Sequence, residues 1–599
     1  MKALFDIETN GFLSQTDRIH SLVITDLETN EIYSYANQDD YPAISEGIKL
    51  LNQADLISGH NIIRFDIPAL DKLKLTSIDI RDPRITDTLV LSRLIYAHIK
   101  TVDWSKRFKD MPIRLYGKHS LEAWGYRLKF QKGDFGKQEG WENWSKAMQD
   151  YCEQDVKLNA LLYKKLMSKE LPQQSLDLEH EFALNMSEMM DTGVPFDKAA
   201  ADALFKSVEP DRLALKAKLE EVIPKNVHYD EFTPKRDDKK KGYVRGVKVY
   251  RKIETTFNPG SRQQIVKFLK KKYKWNPVVF TEKGNPSVGR EVLEKLSHFP
   301  EVPLIMDYLD MTKLMGSLSS GAESWLSHYD NGRIYGSIIH NGAITGRCTH
   351  SKPNLGQVPA VRSYKGKECR ALFRAPDGFR FVGCDVKGLE LRMLGHYLSR
   401  YDAGTYGKEV VEGDIHTLNM RAAGLNSRDD AKTFIYAHNY GAGDPLLGAI
   451  VLPTGTEVEQ RAVGAQLRKD FQSRVAGIGD LIRDLKQTVR TREYIRGLDG
   501  RLLYPRNQNN ALNTTLQGAG AVVVKVITNL ACKDIRNAGL DAKLVLHVHD
   551  ELQFLVREDH TDKVVEILDR AVPDSGEILK LKLPLEGECK IGLNWMETH

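Results

Sequence analysis

Arg428, Lys432, Tyr436 and Tyr440 recur at every fourth position in the stretch RDDAKTFIYAHNYG. On a 3.6-residue helix each such step drifts only about 40° round the axis, so two cations and two aromatic rings share one face. An anionic chain ending in a flat ring has the same order of parts. A solvated basic helix would look similar. The choice turns on whether carboxylates elsewhere can hold metal ions against the anion. Two candidates stand on either side in sequence. Phe381–Val386 reads as a strand that brings Asp385 to its end, followed by the helical pattern GLELRMLGHYL with Glu390 in its first turn. Farther on, LVLHVHDELQFLV reads as two apolar strands pinched at His549-Asp550-Glu551, a hairpin with its acids at the bend.

A second acidic set lies near the start. Asp6 and Glu8 are two apart in the strand-like Lys2–Thr9, so they point to the same side. Such a pair repels itself unless a cation lies between, and a divalent metal is the usual solution. Asp66 follows in GHNIIRFDIPAL, and Tyr151 and Asp155 stack on one face of the helical DYCEQDVKLNALLYKKL. Asp87, in ITDTLVLSRL, reads as a helix cap, and His119 and Trp124 read as structural.

These sites need positioning elements, and a chain of 599 residues is long enough for roughly three or four domains. Lys and Arg number 86 against 81 for Asp and Glu, so a nucleic-acid surface would have to be a local concentration of charge. One exists at Pro224–Lys252, where ten basic residues meet four acidic ones and Tyr229, Phe232, Tyr243 and Tyr250 are interleaved. It could track a phosphate backbone or be a solvated, partly disordered insertion. Helical patterns surround it: 177–220 looks helical, its first helix ended by Thr192-Gly193 with Pro195 and a second running over about Lys198–Val222, and Arg262–Tyr273 and Asp307–Leu326 follow. The six cysteines are scattered without a CxxC, which argues against structural zinc or a disulfide framework and for a reducing compartment. The start MKALFDIETNG has no apolar signal core, and the run Ala519–Leu530 is broken by Lys525 and too short to span a bilayer. A cytoplasmic protein without a membrane partner is the expectation.

The order DxE, D, YxxxD over residues 1–170 resembles the DEDD-type 3′→5′ exonucleases that carry a tyrosine. That resemblance implies that Asp6, Glu8 and Asp155 bind two metal ions, that Asp66 completes the site and that Tyr151 orients the attacking water. The remainder resembles the polymerase domain of family A DNA polymerases: DVKGLELR (Asp385–Arg392), the helix Arg428–Gly441, and His549-Asp550-Glu551. Further matches are the TGR of Thr345–Arg347, PNLGQVP at Pro353–Pro359 and NALNTTLQGAGA at Asn510–Ala521. DIHT, AKTFIY and YGAGD are similar to the bacteriophage T-seven-type replicative branch in particular.

The resemblance implies an α/β multidomain fold, with a ribonuclease H-like exonuclease domain joined to a right-hand polymerase of palm, fingers and thumb. Its expected divisions are exonuclease 1–170, thumb 171–335 with the basic insertion near 224–252, palm 336–410, fingers 411–510 and palm again 511–599. It implies two Mg²⁺ at each site, with Mn²⁺ as a substitute. Asp385, Asp550 and the Val386 carbonyl would be the polymerase ligands, and Glu551 would support them. Arg428, Lys432 and His416 would hold the triphosphate, with Lys432 as proton donor to pyrophosphate. Tyr436 and Tyr440 would pack beside the sugar and base, and Glu390 would bar a 2′-hydroxyl. Arg347, Asn513, Gln517 and His549 would read the minor-groove edge and the primer end. Implied partners are primer-template DNA and dNTPs; a replicative helicase or processivity factor is a further candidate that the sequence leaves open. The T-seven-type enzymes carry a longer thumb insertion that binds thioredoxin, so thioredoxin dependence does not carry over. A single-subunit RNA polymerase would lack the first acidic set and Glu390, and an inactive nucleic-acid binder would have lost carboxylates that are all present here.

Overall fold

The computed structural model describes residues 1–130, 140–277, 279–281, 284–453 and 455–599, with the side chains of Asn226 and His228 excepted. The N-terminal body is a five-stranded sheet of β1 (Lys2–Thr9), β2 (Ile19–Asp26), β3 (Ile32–Tyr35), β4 (Leu56–Gly59) and β5 (Ile85–Asp87). Its order is β3-β2-β1-β4-β5. β1 pairs antiparallel with β2 and parallel with β4, so the acidic strand is central and held from both edges. Helices α1 (Asp66–Lys72), α2 (Thr88–Ile95) and α3 (Lys146–Met167) bring the remaining acids to it.

The next helix, α4 (Gln173–Thr192), joins two bodies. Ala183 and Leu184 pack into the apolar core of the first sheet. Phe182, Met186 and Met189 pack into the large core of the C-terminal half. The segment 171–335, read from sequence as one region, therefore divides: α4 lies at the junction, and the following helices form an arm whose base, at Ala201, Leu204, Leu314 and Met315, packs on Phe381 and Val545 of the C-terminal half. That arm begins with α5 (Lys198–Val222), whose 25 residues span about 37 Å. It returns through α6 (Arg262–Tyr273) and α7 (Glu301–Met315) around Leu219, Ile265, Leu269 and Ile305. α7 ends before the expected Leu326, because a π turn over Gly316–Ser320 and Gly321 close it.

Between α5 and α6 the basic stretch forms an antiparallel ribbon, β6 (Asn226–Phe232) against β7 (Val249–Thr255). Its stem pairs its own charges: Lys248 with Glu231 at 2.6 Å, Arg251 with Asp230 at 2.9 Å and Lys252 with Glu254 at 2.5 Å. At the tip the acids serve the backbone instead, Asp238 accepting from Lys240 N and Lys241 N and Asp237 from Arg245 N. Positive charge is thereby concentrated at the tip.

A short hairpin follows, β8 (Ser337–Ile339) with β9 (Thr349–Ser351). The second large sheet is antiparallel and joins β10 (Phe379–Val386), β11 (Ala542–Val548), β12 (Glu551–Arg557) and β13 (Gly587–Gly592) in the order β11-β12-β10-β13. Helix α8 (Leu389–Asp402) leaves its central strand. A helical group then includes α9 (Ile415–Ala423) and α10 (Arg428–Asn439). The chain returns through α11 (Ala511–Asn537), most of it buried. Among the described residues, the helical stretch Gln508–Asn537 alone is long and apolar enough to cross a membrane, and 78% of its most apolar window is buried in the fold.

Candidate active sites

The second sheet brings together acids far apart in sequence. Asp385, next to last in β10, pairs in register with Glu551 at the start of β12. His549 and Asp550 make the turn between β11 and β12, His549 with a φ of 58°. Val386 N donates to Asp550 O at 3.2 Å, which ties that turn to the end of β10. Burial, and then the charges of Asp550 and Glu551, push the Asp385 pKa up to about 6. Crowded carboxylates of this kind are ionised together at neutral pH only with a cation among them, so the donor set suits a divalent metal. Glu551 turns the other way. It accepts from Gln553 Nε2 at 2.7 Å and from Trp595 Nε1, with Arg370 at 3.5 Å and His599 at 3.2 Å. Burial opposes its charge, but the His599 and Trp595 hydrogen bonds, the Arg370 charge and the Gln553 hydrogen bond together hold its pKa below the usual value. It braces the turn from within the protein.

α10 has the two-faced form that its spacing required. Ala431, Phe434, Ile435, His438 and Asn439 are buried, and Ser427 caps the N-terminus by accepting from Asp430 N. The other face carries Arg428, Lys432 and Tyr436, with Tyr440 just beyond the last turn. Arg428 reaches Asp414, the cap residue of α9, at 3.2 Å, which sets its direction. Both partners are half exposed, so the pair is weak and can give way to a phosphate. His416 lies in the first turn of α9, its Nδ1 buried without a hydrogen-bond partner among the described residues. Lys432 is exposed. Tyr440 donates to Glu390 Oε2 at 3.1 Å, while Glu390 Oε1 is buried with no hydrogen-bond partner among the described residues. Burial raises the pKa of Glu390, and that of Tyr440 is pushed up to about 12 by burial and then by Glu390. Arg347 and His549 line one cavity with Asp550. Asn513 and Gln517 stand on the same helix, α11, the Asn513 Oδ1 buried with no hydrogen-bond partner among the described residues.

In the N-terminal body, Asp6, Glu8, Asp66, Tyr151 and Asp155 line a single cleft of about 1070 Å³. Asp66 Oδ1 accepts from Ile7 N at 3.2 Å, which locks α1 to the acidic strand. Burial and then the Asp6 charge raise its pKa well above the ordinary carboxylate range, again a set that suits a cation. Asp87 is the cap of α2, accepting from Leu89 N and Val90 N, and it also holds the Asn61–Ile63 turn beside the cleft. Trp124 and His119 both bond Ser92, and His119 also lines the cleft.

Sequence reasoning missed three features. Cys152 is buried between Tyr151 and Asp155, and its thiol donates to Asp6 O at 3.5 Å. Ligand atoms of Cys152, Asp6 and Glu8 lie within 4.8 Å of one another. Its helix position, one residue from Tyr151, was the only available signal. The second is the set of Arg370, Trp595 and His599 around Glu551, contributed by distant parts of the chain. The third is a buried charge cluster. Glu179 meets Lys525 at 2.6 Å, Arg501 at 2.7 Å and Asn341 Nδ2 at 2.7 Å. A lysine inside the apolar run Ala519–Leu530 was its trace in the sequence.

An antiparallel sheet with an acid at a strand end and another in the adjoining turn, facing a cationic helix, defines a nucleotidyl polymerase of the right-hand type. The family model of DNA polymerase family A matches residues 240–597. The chain is 33% identical to the DNA-directed DNA polymerases of Enterobacteria phage T3 and Escherichia phage T7, over 99% of each sequence. Those alignments run to 708 positions, so the relatives carry segments that this chain lacks. DNA polymerase I of Pseudomonas aeruginosa is 27% identical over 57% of this chain and 39% of its own. The fold is similar to that of the POL domain of Pol1 from M. smegmatis, with a TM-score of 0.72 at 18% identity over 100% of this chain and 96% of that one. The chain belongs to DNA polymerase family A.

Proposed function

We propose that the chain is a template-directed DNA polymerase that also corrects its own product, through two separate sites. The observation that carries the reading is the placement of Asp385 and Asp550 at one sheet end, with α10 presenting Arg428, Lys432 and Tyr436. Arg428, Lys432 and His416 bind the triphosphate, and Lys432 gives a proton to the departing pyrophosphate. Tyr436 and Tyr440 pack against sugar and base. Glu390, held by Tyr440, fills the space a 2′-hydroxyl would need. Arg347, Asn513, Gln517 and His549 hold the primer end through acceptors common to all base pairs. Asp385, Asp550 and the Val386 carbonyl would hold two divalent ions, Mg²⁺ or Mn²⁺, which when bound lower the pKa of the primer 3′-hydroxyl and neutralise the phosphates.

The N-terminal cleft is read as a 3′→5′ exonuclease. Asp6, Glu8 and Asp155 would hold its two metal ions, Asp66 supports them and Tyr151 orients the water. Likeness to the phage polymerases supports a role in phage genome replication in the host cytoplasm, and the six free cysteines accord with a reducing compartment. A helicase or processivity factor would be recruited by surfaces outside both clefts. The test is a labelled primer-template with Mg²⁺, with and without dNTPs. Asp385→Ala should abolish extension and keep degradation, while Asp6→Ala with Glu8→Ala should do the reverse. Extension by Asp385→Ala would overturn the assignment.

A further inference from the structure

The β8–β9 hairpin lies between the two clefts. In a two-stranded ribbon successive side chains point to opposite faces. The cross-strand pair Ile338 and His350 faces one way and the pair Ile339 and Thr349 the other. His350 lines the cavity that contains Arg347, His549 and Asp550. Ile339 and Thr349, with Gly342 of the connecting loop, line the cleft that contains Asp6, Glu8 and Asp155. A partition one ribbon thick therefore borders both sites, and its loop carries Arg347 toward the first of them.

The ribbon is fixed from both sides. Arg93 of α2 donates to His340 Nε2 at 3.1 Å, which ties the loop to the N-terminal body. Asn341 accepts from Lys525 Nζ at 2.8 Å and from Arg501 at 3.1 Å, and donates to Glu179, which ties it to the buried charge cluster. Yet Ile339 remains 37% exposed and Thr349 is exposed, both toward the cleft. The same cleft is lined by Arg93, Lys100, Arg114 and Lys118, which suit a polyanion. An exposed branched aliphatic side chain beside a hydroxyl, in a cleft also lined by cations, suits a strand with splayed bases and a phosphate backbone.

We propose that the β8–β9 hairpin is the wall along which a single-stranded 3′ segment of DNA reaches the exonuclease carboxylates, with Ile339 against a sugar or base and Thr349 beside a phosphate. This rests on the nuclease reading of the N-terminal cleft. These are positioning residues: they act on the strand upstream of the scissile phosphate, so they set affinity for a long substrate and leave the chemistry of a short one alone.

The test uses the full chain with Mg²⁺ and two substrates, a 3′-labelled single-stranded oligonucleotide and a dinucleotide that reaches only the carboxylates. Thr349→Glu sets a negative charge beside the phosphate, and its KM for the oligonucleotide should rise about tenfold with kcat little changed. Thr349→Gln, of similar size and uncharged, should stay near the wild type. Ile339→Ala should raise the oligonucleotide KM a few-fold, and none of the three should alter dinucleotide cleavage. Should Thr349→Glu fail to fold, judged by loss of primer extension, Ile339→Ala carries the test. A wild-type oligonucleotide KM in both Thr349→Glu and Ile339→Ala, or in Ile339→Ala alone if Thr349→Glu does not fold, would overturn the proposal. Cleavage of neither substrate by the wild type would mean that the nuclease reading itself is wrong, and the proposal falls with it.

Discussion

Replacing Glu179 by leucine tests the buried cluster that joins the two halves of the molecule. Glu179 is fully buried, and so are Lys525 and Arg501 against it. Arg501 also has Asp499 at 2.7 Å, so it keeps a counter-charge when Glu179 is lost. Lys525 does not: it retains the Asn341 carbonyl and the face of Phe182 at 5.1 Å. Removing one partner of a buried pair costs about 3–5 kcal/mol, because the other charge stays buried and uncompensated. With an unfolding entropy near 2.1 cal/mol/K per residue and a cooperative unit of roughly 500 residues, that is a melting temperature lower by about 3–5 °C. Lys525→Met should cost less, since Glu179 keeps Arg501 and Asn341. The double variant Glu179→Leu with Lys525→Met should be more stable than Glu179→Leu alone.

The pH dependence gives a second reading of the same variant. Burial lowers the pKa of Lys525 even in the intact cluster. Without Glu179 the lowering becomes larger. A base whose folded pKa lies below its unfolded value binds fewer protons when folded, so stability rises with pH between the two. The deficit of Glu179→Leu should therefore shrink as pH is raised from 7 toward 10, and the double variant should show no such recovery. Scanning calorimetry or denaturant melts over that range give both quantities. Equal losses in the single and double variants, or a deficit independent of pH, would refute the reasoning.

Three other outcomes follow from the polymerase cleft and the ribbon. Glu390→Ala should raise the ratio of ribonucleotide to deoxyribonucleotide incorporation in primer extension, and an unchanged ratio would remove Glu390 from sugar selection. Tyr436→Phe should discriminate strongly against dideoxynucleotides, since the tyrosine hydroxyl can replace contacts of the missing sugar hydroxyl; equal chain termination by both proteins would refute this. Replacing Lys239, Lys240 and Lys241 with glutamine should shorten products and flatten the slope of log K against log salt by about 2–3, as expected if the ribbon tip meets duplex phosphates. An unaltered slope would leave the tip without a role in DNA binding.

Much of both sites was legible because local spacing fixes which side chains share a face. Asp6 with Glu8 needed only the strand period, and the cationic face of α10 needed only the helical one. The His549-Asp550-Glu551 turn was marked by apolar runs on either side. Contacts set by packing between distant segments were not legible. The partners of Glu179 lie 162 to 346 positions away, so Lys525 could be read only as an interruption of an apolar run. The β6–β7 ribbon hid its strands because cross-strand ion pairs replace the usual apolar alternation. α4 has apolar residues on more than one face because it serves two cores, a fact that a single amphipathic period cannot express. The two-sided role of β8–β9 depends on which bodies flank three-residue strands, and strands that short carry no pattern of their own.

The central claim, that one chain both extends and corrects a primer through separate acidic sites, is tested most directly with a primer whose 3′ nucleotide is mispaired. With Mg²⁺ and dNTPs, the wild type should remove the mispaired nucleotide and give full-length product carrying the correct base. The Asp6→Ala, Glu8→Ala double variant should stall on that primer while extending a matched one normally. Full-length, corrected product from the double variant at the wild-type rate would contradict the account.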